Sequence, residues 1–194
     1  MFKKLAKYVK EYKKSAILTP IFVILEVVME VIIPLLMAKI IDVGIQNGDV
    51  KYIVEIGGLL IISAILSLTF GMLSGRFAAK ASAGYAKNLR KEMFHKVQDY
   101  SFENIDKFST SSLVTRMTTD VTNVQMAFQM IIRILVRGPI MLIFALLMVI
   151  SISAKLSLIF FVAIPVLGGI LFYIARKAHP NFERVFKKYD KLNR

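Results

Sequence analysis

The chain has 194 residues, 56% of them hydrophobic, with a mean hydropathy of +0.62, above the roughly 45–50% apolar usage of soluble domains, and this excludes a disordered tail. Lys and Arg number 26 against 13 Asp and Glu, a formal net charge of +13 that would raise nucleic acid as a partner if a binding motif or basic-aromatic groove accompanied it; none does. With no Cys, disulfides and thiolate metal sites are excluded and redox compartment is unreadable.

Residues 1–14 hold six Lys and one acid, Glu11. Ser15 to Ala38 then runs 24 residues interrupted only by Glu26 and Glu30, giving a first membrane span over about 15–41. Its apolar part is too long for a signal peptide and lacks a small-residue cleavage site, so a retained helix is expected. Glu26 and Glu30 are four residues apart and share a helical face. A carboxylate at mid-membrane costs about 2.5–3.5 kcal/mol on insertion scales, so that face must meet a cavity or polar partners. One reading has both lining a substrate cavity and attracting cationic amphipathic compounds; the other pairs them with polar groups on neighbouring helices.

Ile41 to Tyr52, with Gly44, Asn47-Gly48 and Asp49 as breakers, reads as a short turn. Charge-free windows then place spans at 56–75, 138–154 and 156–175, the last two joined by the tight Ser151 to Ser157 connection. Between 76 and 137 lie 62 residues with one Gly, Gly84, and no Pro, too long and too poor in breakers for a structureless loop. Phe77, Ala81, Tyr85, Leu89, Met93 and Val97 recur every four residues. Leu113, Met117, Val121, Val124, Phe128, Ile131 and Leu135 recur at fours and threes. These two stripes predict a helical hairpin continuous with the flanking spans. Ile56 to Tyr100 would be about 68 Å of helix, projecting some 35 Å beyond a hydrocarbon layer of about 30 Å. After Ala175 the pattern of Phe182, Val185, Phe186, Tyr189 and Leu192 extends the fourth helix similarly, with His179-Pro180 a possible bend.

Residues 76–137 hold ten Lys/Arg and five acids, and 176–194 seven and two, whereas all segments assigned to the other side hold three and five. The positive-inside rule therefore places both termini and the hairpin in the cytoplasm. His95 and His179 are isolated polar residues, and no metal cluster is expected. Met29, Met37, Met72, Met126, Met130, Met141 and Met148 suit a promiscuous cavity, but lipid-facing filler is the favoured reading. Pro20, Pro34, Pro139 and Pro165 are candidate kinks.

Between the stripes stands Ser101 to Ser112, where Phe102, Ile105 and Phe108 share one face, either a docking knob or aromatics folded back on a solvated turn. From Leu89-Arg90 through SFENIDKFSTSSLVTRMTTDVTNVQ the chain resembles the first intracellular loop of ABC exporter transmembrane domains. The Ile41 to Ile45 turn and the loop lengths match the bacterial heterodimeric multidrug members of that family. The resemblance implies a coupling helix at Phe102, Glu103, Asn104, Ile105, Asp106, Lys107 and Phe108, inserted into a nucleotide-binding domain. It implies also a return-helix motif at Arg116 and Asp120, although Ser111 stands where Gly is usual. It implies an all-α integral membrane fold, the first part of a six-helix domain. ATP and Mg would belong to a nucleotide-binding domain that residues 1–194 do not include, since they contain no G-x-x-x-x-G-K-[ST] phosphate loop. This chain alone is thus expected not to hydrolyse ATP, while the full-length family member would be an ATP-hydrolysing translocase. The expected role is export of amphipathic compounds by alternating access, with a second transporter subunit, in a bacterial plasma membrane. The alternatives are a proton-coupled four-span antiporter using Glu26 or Glu30, and a non-transporting subunit docking a cytosolic partner.

Overall fold

The computed structural model describes residues 7–100 and 110–192. Among them there is helix and no strand. A 3-10 segment, Lys7–Tyr12, leads into α1, Lys13–Lys39, which runs through Pro20 and Pro34. A π-helical segment, Ile40–Ile45, closes α1. The chain then turns through Gly48 at a φ of 66°, a left-handed position that glycine takes without steric cost. α2, Val50–Gln98, begins at Asp49, whose carboxylate accepts from the Tyr52 N–H at 3.0 Å as an N-cap. At 49 residues it is about 74 Å long, more than twice a hydrocarbon layer. After the residues outside the description come α3, Thr110–Thr115, a π-helical stretch Arg116–Asp120, α4, Val121–Ile152, and α5, Ala154–Leu192. Four of the helical stretches are long and apolar enough to cross a membrane: Lys7–Ile45, Val50–Gln98, Ser111–Ile152 and Ser157–Ala178. Helix continues across Pro180 to Leu192; the side chains of the expected 182–192 stripe lie outside the described residues.

The chain divides into two compact units, Met1–Phe144 and Ala145–Arg194. In the first, α1 and α2 pack closely along an antiparallel seam. The α2 side of that seam is a small-residue ladder at four-residue spacing, with Ser74, Ala78, Ser82 and Ala86 all fully buried. Small side chains let two backbones approach where lipid offers no hydrophobic drive between helices. Opposite them Val23, Val27 and Thr19 are fully buried on α1. Phe22 stacks on Phe77 at 5.5 Å between centroids. The 76–97 stripe read from sequence faces inward along its whole length, with Ala81 and Tyr85 buried and the others half-buried.

The second stripe keeps its expected face only as far as Phe128, which stacks on Tyr85 at 4.6 Å. Beyond it Ile131 and Leu135 are exposed, while Gln129, Ile132, Arg133, Val136 and Arg137 turn inward. The physical reason is a change of surroundings. Against water an apolar stripe marks the core, but against lipid the apolar face points outward and polar groups turn toward other helices. In the second unit most of the large apolar side chains of α5 from Leu158 to Ile174 are exposed. At the α4–α5 break, the Ser153 N–H donates to the Val149 carbonyl at 2.9 Å and the Ser157 N–H to the Ser153 carbonyl at 3.0 Å.

The single Gly of the 76–137 segment breaks nothing. A Cβ on Gly84 would stand 2.3 Å from the ring of Tyr12, so this glycine lets the N-terminal segment lie against α2. Asn88 fixes the same segment, donating to the Tyr8 carbonyl at 3.0 Å, and Lys10 reaches Glu92 at 3.7 Å. These contacts hold Lys10 at a φ of 38°, a backbone state costing about 1–3 kcal/mol. Gly84→Val should therefore displace Tyr12 and destabilise the protein by about 1–3 kcal/mol. Thermal unfolding of the full-length protein in detergent reads this; an unshifted midpoint would contradict the close approach.

Candidate functional site

The membrane-embedded site is built from three helices of the first unit. Glu26 and Glu30 stand one turn apart on α1, and Arg137 comes from α4. Arg137 Nη1 bonds Glu26 Oε1 at 3.0 Å, and its Nη2 bonds Glu30 Oε1 at 2.5 Å. One guanidinium thus takes both carboxylates with separate nitrogens, a use of its fixed fork that an ammonium could not copy. Glu26 is the deeper carboxylate, its side chain 10% exposed against 29% for Glu30 and 38% for Arg137. Its second oxygen accepts from the Ser74 hydroxyl of α2 at 3.4 Å. Gly71 makes room beside it: a Cβ there would lie 3.1 Å from Glu26 Oε1.

Sequence reasoning singled out the two carboxylates and missed their cation. Arg137 borders the charge-free window at Gly138 and was assigned with the cytoplasmic charges. The available signal was its spacing. Arg133 and Arg137 repeat the i, i+4 interval of Glu26 and Glu30, so each helix presents a matching pair of turns. Arg133 lies over Gly75, whose Cβ would be 3.8 Å from Arg133 Nη1. Gln129, one turn further, accepts from the Ser82 hydroxyl at 3.3 Å. Gln129, Arg133 and Arg137 therefore form a polar column down α4, touching α2 and α1 through side chains. An open groove of about 370 Å3 runs along it, lined by Met126, Gln129, Met130, Arg133, Ile134 and Arg137.

A second locality lies near the far end of α2. Arg116 and Asp120 bound the π-helical stretch and, with Leu89, Met93, Val121 and Val124, line a groove of about 350 Å3. In this stretch the Val121 N–H bonds the Thr118 carbonyl, leaving the Met117 carbonyl without its ordinary i+4 donor. Arg90 of α2 reaches that carbonyl: its Nε donates to it at 3.3 Å, and its Nη2 to the Thr122 hydroxyl at 3.2 Å. Thr115, Thr118 and Thr122 return their hydroxyls to carbonyls one turn earlier, at 3.0, 2.8 and 2.8 Å; such back-bonding bends helices. Arg90 is the second residue the sequence reading left without a role. The expected coupling residues Phe102, Glu103, Asn104, Ile105, Asp106, Lys107 and Phe108 lie outside the described residues. No group of three or more metal-ligating side chains occurs among the described residues.

Residues 16–194 match the family described as the ABC transporter transmembrane region. The chain is 34% identical over 190 residues to the uncharacterized ABC transporter ATP-binding protein YfiB of Bacillus subtilis, covering 98% of this chain and 33% of that protein. It is 29% identical to the ATP-dependent lipid A-core flippase of Pseudoalteromonas translucida, covering 91% of this chain and 30% of the flippase. A third relative is the uncharacterized ABC transporter ATP-binding protein YknU of Bacillus subtilis, 22% identical over 99% of this chain and 33% of its own length. The chain spans about a third of the length of these relatives.

Removing the shared cation tests the charge site. Arg137→Met strands two carboxylates and should cost about 3–5 kcal/mol. Replacing all three charges, Glu26→Gln, Glu30→Gln and Arg137→Met together, should recover most of that loss, because no unpaired charge remains. Unfolding midpoints of the full-length protein in nanodiscs give the comparison. Simple additivity of the three changes would show that they do not act as a unit.

Proposed function

The chain belongs to the ABC transporter transmembrane region family, and we propose that it forms the first part of the membrane domain of an ATP-driven exporter of amphipathic compounds. In this reading it is a multi-pass component of a bacterial plasma membrane, with its N-terminus cytoplasmic, and it pairs with a second transporter subunit as a heterodimer. Nucleotide-binding domains carrying ATP and Mg supply the energy, and alternating access moves the substrate outward.

The observation that carries the proposal is the length of the paired helices. α2 at 49 residues and the helical run Ser111–Ile152 at 42 both exceed what a bilayer needs. A span alone has no use for the excess. Two stiff arms joined by Arg90 and by the Tyr85–Phe128 stack can carry a displacement from a docked motor to the spans. The basic excess of 76–137 favours the cytoplasm for these arms. Residues 102–108 are our assignment for the element that docks on the nucleotide-binding domain, with Arg116 and Asp120 stiffening its return helix. Glu26 and Glu30 with Arg137 form part of the wall of the substrate path. Their pairing with Arg137 disfavours a proton-exchange mechanism, which needs a carboxylate able to release its partner.

Phe102→Ala combined with Phe108→Ala in the full-length protein should lower ATP-driven transport by about tenfold, within the usual range of inter-site coupling. Nucleotide binding should persist. Vesicle uptake and nucleotide binding measured side by side test this. Unimpaired transport would remove residues 102–108 from the coupling path.

A further inference from the structure

We propose that the open groove beside Arg133 on α4 binds a drug-sized amphiphile with a single anionic head group. The inference deepens the exporter reading and rests on it for its role.

The groove's size, about 370 Å3, lies at the lower end of the range for small-molecule sites. Its apolar wall is Met126, Met130 and Ile134, all exposed to the groove side of the helix rather than packed in a core. Thioethers adapt to varied apolar shapes, so this wall suits a hydrocarbon or aromatic tail. The polar wall sets the sign of the head. Arg137 is engaged by both Glu26 and Glu30, whereas Arg133, one turn away, has no carboxylate within ion-pair distance among the described residues. Level with Gly75, at the edge of the charge-free second span, a guanidinium with no acid beside it is an electrostatic match for an arriving anion. The guanidinium fork also gives a carboxylate or phosphonate two parallel hydrogen bonds. Gln129 adds an amide on the same groove wall. A cation would find no carboxylate on the groove wall, whose charged residues are Arg133 and Arg137. The sequence left two readings of Glu26 and Glu30, a cavity attracting cations or pairing with polar groups on neighbouring helices; both carboxylates bond Arg137, and neither lines this groove.

The test is equilibrium binding to the full-length protein in neutral phosphatidylcholine nanodiscs without nucleotide. Two probes share a ring and chain: pyrenebutyrate, which is anionic, and pyrenebutanol, which is neutral. Wild type should bind pyrenebutyrate at least about tenfold more tightly, the scale of one charge-assisted hydrogen-bonded contact. Arg133→Gln should bring pyrenebutyrate down to the affinity of pyrenebutanol, and Arg133→Lys should retain most of the preference. Equal binding of the two probes by wild type overturns the proposal, as does a preference that survives in Arg133→Gln. Failure to bind either probe also overturns it, since the groove is then covered by another part of the transporter. Displacement of pyrenebutyrate by phosphatidylglycerol added to the bilayer would give the groove to a lipid headgroup, against the proposal. ATP-driven accumulation in vesicles is scored separately. Anion-selective, Arg133-dependent binding without accumulation supports the site and removes the exporter reading.

Discussion

A charge inside a bilayer must be matched by another, and in the first unit that requirement fixes how three helices meet. Glu26 and Glu30 could not sit in α1 unaccompanied, and Arg137 could not sit in α4. Bringing them together ties α4 to α1 through two hydrogen bonds of one guanidinium, with Ser74 of α2 on the remaining oxygen of Glu26. Gly71 beside that carboxylate is part of the same arrangement, because a side chain there would press on Glu26. Such a cluster contributes orientation more than net stability, since the desolvation of three charges offsets much of their attraction. What it specifies is the rotation of α1 and α4 about their axes.

Two kinds of helix contact coexist around it. α1 and α2 meet through small residues, Ser74, Ala78, Ser82 and Ala86, which let backbones come close and leave no room between them. α4 meets the same pair through long side chains: Tyr85 on Phe128, Ser82 on Gln129, Arg137 on the carboxylates. The first contact is closely packed. The second leaves space along α4, and the groove beside Arg133 is that space.

The charged half of α2 shows how much of such a structure is legible before it is seen. The 76–97 stripe identified its inward face because that stretch packs against other protein, where apolar means buried. The same pattern does not carry to Ile131 and Leu135, which are exposed while Gln129, Arg133 and Arg137 turn toward the other helices. Gly84 was visible as an isolated glycine, but its partner Tyr12 stands 72 positions earlier and no local pattern announces it. Arg90 bonds the Met117 carbonyl and the Thr122 hydroxyl of the other arm, partners far along the chain that residue types do not reveal.

The sequence by itself determined the class of the molecule: an all-helical membrane domain with four long apolar stretches, and the family its motifs resemble. These follow from composition and periodicity, which are local properties. It also identified Glu26 and Glu30 as residues needing partners. Only the tertiary structure decided which partner they take. Ion pairing depends on distance between helices more than 100 residues apart in the chain, and charge of one sign cannot name its complement. Both carboxylates turn to Arg137, while the groove beside it is lined by Arg133 and Arg137 and by no acid, and that division belongs to packing alone.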